Sequence, residues 1–203
     1  MEGYAKINPA VWVEENSQGP ISAVDSLVLD IDGVILDVSS SFRVAISKTT
    51  QYFFENVLGW QVKGGLITPA ETEFFKTAGG FNNDWELTYA VCLYYLVRGW
   101  KGEGGSKGRP SLAKTAGGLE SFTRSLGRAG GGLGVAEEVA LQGLSAEARE
   151  AVSSLWDKDQ IKHIFQEYYG GRSHCRALYG FDPSRIEGPG LVESEQVIVA
   201  SEL

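Results

Sequence analysis

Residues 26–38 read Ser-Leu-Val-Leu-Asp-Ile-Asp-Gly-Val-Ile-Leu-Asp-Val, and the fold turns on how this stretch is taken. Leu27, Val28 and Leu29 form a short apolar run of the kind that becomes a fully buried strand in a parallel sheet. Side chains alternate along a strand, so Asp30 and Asp32 project toward one site at its carboxyl end. Open α/β sheets place ligands at that end. Two carboxylates so close repel each other unless a cation or substrate uses them. Magnesium suits them, because it takes one or two carboxylates together with water and phosphate oxygens. The same residues allow a second reading. Asp-Gly between Leu-Val-Leu and Val-Ile-Leu is also a β-hairpin signal, which would make the acids turn residues without chemistry.

Downstream, the pattern turns helical. Ser39-Ser40-Ser41 supplies capping residues for a helix over about 41–58, with Phe42, Ala45, Ile46, Thr49, Phe53 and Val57 at helical spacing. Its start near the acids offers free amides to a phosphate, and Arg43 could add a bidentate contact or lie solvated on the surface. Thr68-Pro69-Ala70-Glu71 is a capping box with proline at the first helical position. That helix runs to about Thr77 and stops at Gly79-Gly80. Asn83 or Asp84 caps the next, which is apolar nearly all round and is expected inside a helical bundle. The loop between them, Gly79-Gly80-Phe81-Asn82-Asn83-Asp84-Trp85, has the amides, carboxylate and aromatics of a recognition loop, or serves as a plain helix connection.

Asp30-Ile31-Asp32-Gly33-Val34-Ile35-Leu36-Asp37 resembles the first motif of the haloacid dehalogenase-like superfamily. With the Ser-x-Arg helix start and the Gly-Gly-Phe-Asn-Asn-Asp-Trp loop, the chain looks like a subgroup with a helical cap after that motif. The likeness covers about residues 24–100 well and the rest loosely. It implies an α/β fold, a Rossmann-like core of which one strand is present, with a large all-α cap. It implies Asp30 as nucleophile, forming an aspartyl-phosphate, and Asp32 as general acid/base, with Mg²⁺ on Asp30 and Asp32. A carboxylate nucleophile splits a hard displacement in two, a neighbouring acid protonates the leaving oxygen, and a metal neutralises the phosphoryl charge. Arg43, Asn82, Asn83 and Asp84 are the residues taken to bind substrate, a small phosphorylated metabolite. The division that follows is 1–38 for leader and first strand, 39–185 for the cap, and 186–203 for the return to the core.

Residues 1–22 read as an irregular leader packed on the core by Val11, Trp12 and Val13. Residues 101–134 are rich in glycine, and residues 98–128 carry seven cations against Glu103 and Glu120. They read as a solvated, mobile insertion with a short helix over 111–126 built on Leu112, Leu119, Phe122 and Leu126. Helices are expected at 135–142, 145–154 and 157–169, the last ending at Gly170-Gly171. Residues 181–191 read as a linker, and a helix is preferred after it, although Val197-Ile198-Val199-Ala200-Ser201 also fits a strand.

A net charge of −8 argues against general attraction to nucleic acid or anionic membrane. No apolar stretch approaches a membrane span, and the N-terminus lacks the pattern of a signal peptide. Cys92 lies in an apolar helical run and reads as a buried thiol, so the chain reads as cytoplasmic. His163 and His174 lack the partner spacing of a metal site. Oligomeric state is left open.

The later motifs of the family, namely a Ser or Thr after a second strand, a charge-quenching Lys or Arg and an acidic pair, are not found. One strand and a cap leave an open sheet edge, so the chain reads as the N-terminal part of a longer protein. Two hypotheses result. The first is a Mg²⁺-dependent phosphatase-like hydrolase. The second is a non-catalytic binding or regulatory protein that keeps the cap and the first motif.

Overall fold

The computed structural model describes residues 3–8, 11–17, 23–26, 28–101 and 110–199. Its centre is the helix Asp84–Lys101 (α3), which buries Leu87, Ala90, Val91, Cys92, Leu93, Tyr95 and Leu96 completely or nearly so. A helix apolar on so many faces is stable only when surrounded. Four helices surround it: Phe42–Tyr52 (α1), Gly132–Leu141 (α5), Ala146–Leu155 (α6) and Lys158–Tyr179 (α7). Two more, Thr72–Ala78 (α2) and Gly118–Arg128 (α4), pack on each other at one side. Trp156 joins α6 to the centre, its indole N–H donating to the Tyr89 carbonyl at 2.9 Å.

The strands are small. Tyr4–Asn8 (β1) and Val11–Glu14 (β2) form an antiparallel hairpin. Leu36–Asp37 (β3) pairs antiparallel with Gln196–Val197 (β6). Gln61–Lys63 (β4) runs parallel to Ser111–Ala113 (β5). The molecule is therefore mostly helical with small sheets. Among the described residues there is no multistranded parallel sheet, so the Rossmann-like core is not seen.

Several expected elements form where the sequence places them. α1 continues through a π-turn at Phe53–Val57, and Ala45, Ile46, Thr49 and Phe53 are buried as its spacing requires. The capping box forms: Glu71 N donates to Thr68 Oγ1 at 3.4 Å, and Thr68 N donates to Glu71 Oε2 at 2.8 Å. Both cysteines are free and buried.

Other expectations are corrected. Residues 28–30 are not a strand: they have no regular structure, and Val28 is 95% exposed. No described residue forms a strand with them, so among the described residues the apolar run has no sheet to enter. Leu27 lies outside the described residues. The described part of the leader holds the paired strands β1 and β2 rather than irregular chain, and Trp12 is exposed instead of packed on the core. The helix expected at 111–126 is a strand followed by α4. From Pro110 onward the glycine-rich segment is built into the core, with Leu112, Leu119 and Leu126 buried. Residues 102–109 lie outside the described residues. At Gly170-Gly171 the helix breaks as expected, Gly171 adopting a non-helical φ of +56° beside Pro189 and Gly190, and a second helical stretch then carries α7 on to Tyr179. After the linker comes a 3-10 turn, Leu191–Ser194, and then β6, which shares only Val197 with the alternative strand at 197–201; residues 200–203 lie outside the described residues.

Buried Glu167 closes the linker onto α7. Its carboxylate accepts from the amides of Ser184, Arg185 and Ile186 at 3.1, 2.7 and 3.0 Å, and from the Arg185 guanidinium at 3.1 Å. Burial would push this carboxyl up, but those donors outweigh burial and hold it below the ordinary glutamate range.

Candidate functional site

The acidic loop is a tight turn. The Ile31 carbonyl accepts from the amides of Ile35 and Leu36 at 2.8 and 2.9 Å, and Gly33 N returns to the Leu36 carbonyl at 2.8 Å. Gly33 sits at φ +77°, where a side chain would be strained. This geometry is nearer to the turn reading than to a strand, yet the acids do not simply face bulk water. They line an open cleft of about 870 Å³ against the helical body.

Three helix starts complete the cleft: Ser39, Phe42 and Arg43 at α1, Pro69 and Ala70 before α2, and Asn82 and Asp84 at α3. The start of α1 is notable chemically. Ser41 could cap it, but its hydroxyl donates to the Val38 carbonyl at 3.0 Å, and no side chain caps the helix. Its first-turn amides are thus left for an outside acceptor. Asp37 stays nearby, accepting from Ser39 N at 2.9 Å, and the Ser39 hydroxyl and amide hold its carboxyl below the usual range.

Four carboxylates (Asp30, Asp32, Asp37 and Asp84) face two cations, Arg43 and Lys76. Arg43 meets Glu73 at 2.6 Å, and Lys76 meets Asp84 at 2.8 Å. Partial burial raises the Asp32 carboxyl, and the like charges of Glu195, Asp30 and Asp84 raise it further. Glu195 belongs to the return segment, where Tyr169 O–H donates to its Oε1 at 2.9 Å. Such a pair, one acid holding its proton more tightly than the ordinary, can exchange a proton with a ligand or share a cation.

Of the residues singled out by sequence, Asp30, Asp32, Arg43, Asn82 and Asp84 come together in this cleft. Asn83 is not among its lining residues; its side chain accepts from Trp85 N at 2.9 Å and caps α3. Lys76, Asp37, Ser39 and Glu195 were missed. Lys76 had one readable signal, a lone cation in the last turn of a well-capped helix just before the glycine loop. Glu195 had none, since only the tertiary fold brings it to Asp32.

The donor set suits a hard cation: oxygen ligands and no thiol or imidazole. Among the described residues no three His, Cys, Asp or Glu side chains converge closely enough to hold a metal by themselves. A metal held here would need water or ligand oxygens to complete its shell.

No family model matches the chain, and no solved structure does. Over 106 residues it is 31% identical to a protein of Phytophthora nicotianae named imidazoleglycerol-phosphate dehydratase, a stretch that is 52% of this chain and 20% of that relative. The chain thus spans about a fifth of the relative's length. The relative's name is that of a dehydratase. It overturns the expectation of a Mg²⁺-dependent phosphatase-like hydrolase working through an aspartyl-phosphate, and it gives no support to the haloacid dehalogenase-like family. It favours the non-catalytic alternative no better. Among the described residues no helix is long and apolar enough to cross a membrane.

Proposed function

We propose that the cleft binds a small phosphorylated metabolite together with a magnesium ion. The observation that carries this reading is that the start of α1, which no side chain caps, lines a cleft otherwise dominated by carboxylates. Amides at a helix start favour a phosphate. Four carboxylates against two cations oppose one, unless a divalent ion stands between. Asp30 and Asp32 would hold that ion, and the phosphate would complete its shell. The likeness of residues 30–37 to the haloacid dehalogenase-like motif supports an ion at these acids and does not require ester hydrolysis. The name of the relative supports a phosphorylated ligand, and imidazoleglycerol phosphate is the first compound to try. Two free, buried thiols agree with a reducing, cytoplasmic setting.

The test is calorimetric titration of the chain with imidazoleglycerol phosphate and with glycerol 3-phosphate, with and without Mg²⁺. Binding should need the ion, and Asp30→Asn or Asp32→Asn should weaken it by about tenfold or more. Equal binding with a chelator present, or none in either condition, overturns the reading.

A further inference from the structure

We infer that Lys76 is the side chain that selects the phosphate of the ligand, and that Asp84 holds it ready. This rests on the cleft being a phosphate site, and it separates two cations that the sequence leaves equal. Arg43 spends its charge on Glu73, which does not line the cleft. Lys76 spends its charge on Asp84, which does.

The Lys76–Asp84 pair is not needed to hold the loop it brackets. That loop is fixed four other ways. Gly132 N donates to the Gly79 carbonyl at 3.0 Å. A Cβ on Gly80 would come within 2.6 Å of Gly132 N, so the two glycine turns interlock with no side chain between them. Phe81 is buried, its ring centroid 5.5 Å from that of Phe75. The Asn83 cap then starts α3. The ion pair is thus redundant as a staple, and its two side chains are about a third and a quarter exposed at the cleft.

The exchange is also inexpensive. Lys76 lies in the last turn of α2, where a cation is favoured, and its flexible stem can swing to a phosphate. Asp84, released, sits in the first turn of α3, where the helix favours its charge. Lys76 and an ion on Asp30 and Asp32 would then both neutralise the one phosphate.

Titrating inorganic phosphate in Mg²⁺ into four proteins tests this. Lys76→Gln should lose about ten- to a hundredfold in phosphate affinity. Arg43→Gln should change it by less than about threefold. Asp84→Asn, which removes the competitor, should bind as tightly as the unaltered chain or tighter. Mg²⁺ binding without phosphate should be the same in Lys76→Gln and the unaltered chain. Equal losses in Lys76→Gln and Asp84→Asn with matching drops in melting temperature would show a staple and overturn the inference. So would a large loss in Arg43→Gln with none in Lys76→Gln. If the unaltered chain binds Mg²⁺ but no phosphate, the phosphate reading itself falls and this inference with it.

Discussion

The helical body and the acidic rim both carry runs of aliphatic residues, and they treat them in opposite ways. Around α3 the large side chains are gone from solvent: Phe53, Phe54, Leu93 and Leu96 are fully buried. Along 28–35 and 196–199, Val28, Leu29, Ile31, Val34, Val197 and Ile198 are exposed, although their pattern is that of strands. The difference lies in how far away each segment's partners are. Helices satisfy their own backbone and need only a neighbour with a matching face. A strand needs another strand for every hydrogen bond, and here β3 and β6 offer each other two residue pairs. The body is therefore a packed core, and the rim is a loop that carries acids to the cleft.

If that contrast is right, the largest loss should come from the body. Phe54 lies between Trp60 and Tyr95, with centroids 5.2 and 6.1 Å away. Phe54→Ala should cost about 3–5 kcal/mol in urea unfolding, because the cavity cannot close around two other rings. A cost below about 1 kcal/mol would mean the body is not packed as described.

Glu167 is the next step down, at the joint between body and return segment. Glu167→Ala should cost about 3 kcal/mol, since it strands three amides and leaves the Arg185 guanidinium only the Ser184 hydroxyl at 3.5 Å. Its carboxyl titrates lower in the folded chain than its ordinary value of 4.5. Its contribution is therefore complete above that value and is lost as pH falls through the lower folded value. Stability measured from pH 6 down to pH 3 should fall less steeply in Glu167→Ala than in the unaltered chain. Parallel curves would deny the carboxylate this role.

How much of this was legible in the sequence follows the same divide. The capping box at Thr68, the buried α3 and the buried spacing of α1 were readable because local pattern decides them. Val28 and the helix expected after the linker were misread because strands depend on distant partners. The segment 101–134 was read as a mobile insertion because glycine count was taken for disorder. In the fold Gly131 and Gly132 are required by close packing on Gly79 and Gly80. Of the site, Asp30, Asp32, Arg43, Asn82 and Asp84 could be picked by residue type and nearness to helix starts. Lys76 offered only its place in the last turn of α2, and Glu195 offered no signal, because only the fold of the return segment brings its charge to bear on Asp32.

A smaller effect sharpens the local side of the comparison. Thr68→Ala removes one half of the capping box and should cost about 1 kcal/mol, read from the urea midpoint. A cost near zero would show that Pro69 and Glu71 start the helix without it.

The smallest effect should come from the rim. Val28 is almost wholly in water, so Val28→Asp removes no buried apolar surface and strands no polar group. It should change the unfolding free energy of the 203-residue chain by less than about 0.5 kcal/mol, against the several lost at Phe54. The same substitution adds a carboxylate two residues from Asp30, beside acids that already raise Asp32. Its effect on the cleft should therefore exceed its effect on the fold: more repulsion without an ion, and no weaker Mg²⁺ binding. A loss of 2 kcal/mol or more would be a core-sized penalty. It could arise only if Val28 were covered, and the division between a packed body and an open rim would then fail at the residue that defines it.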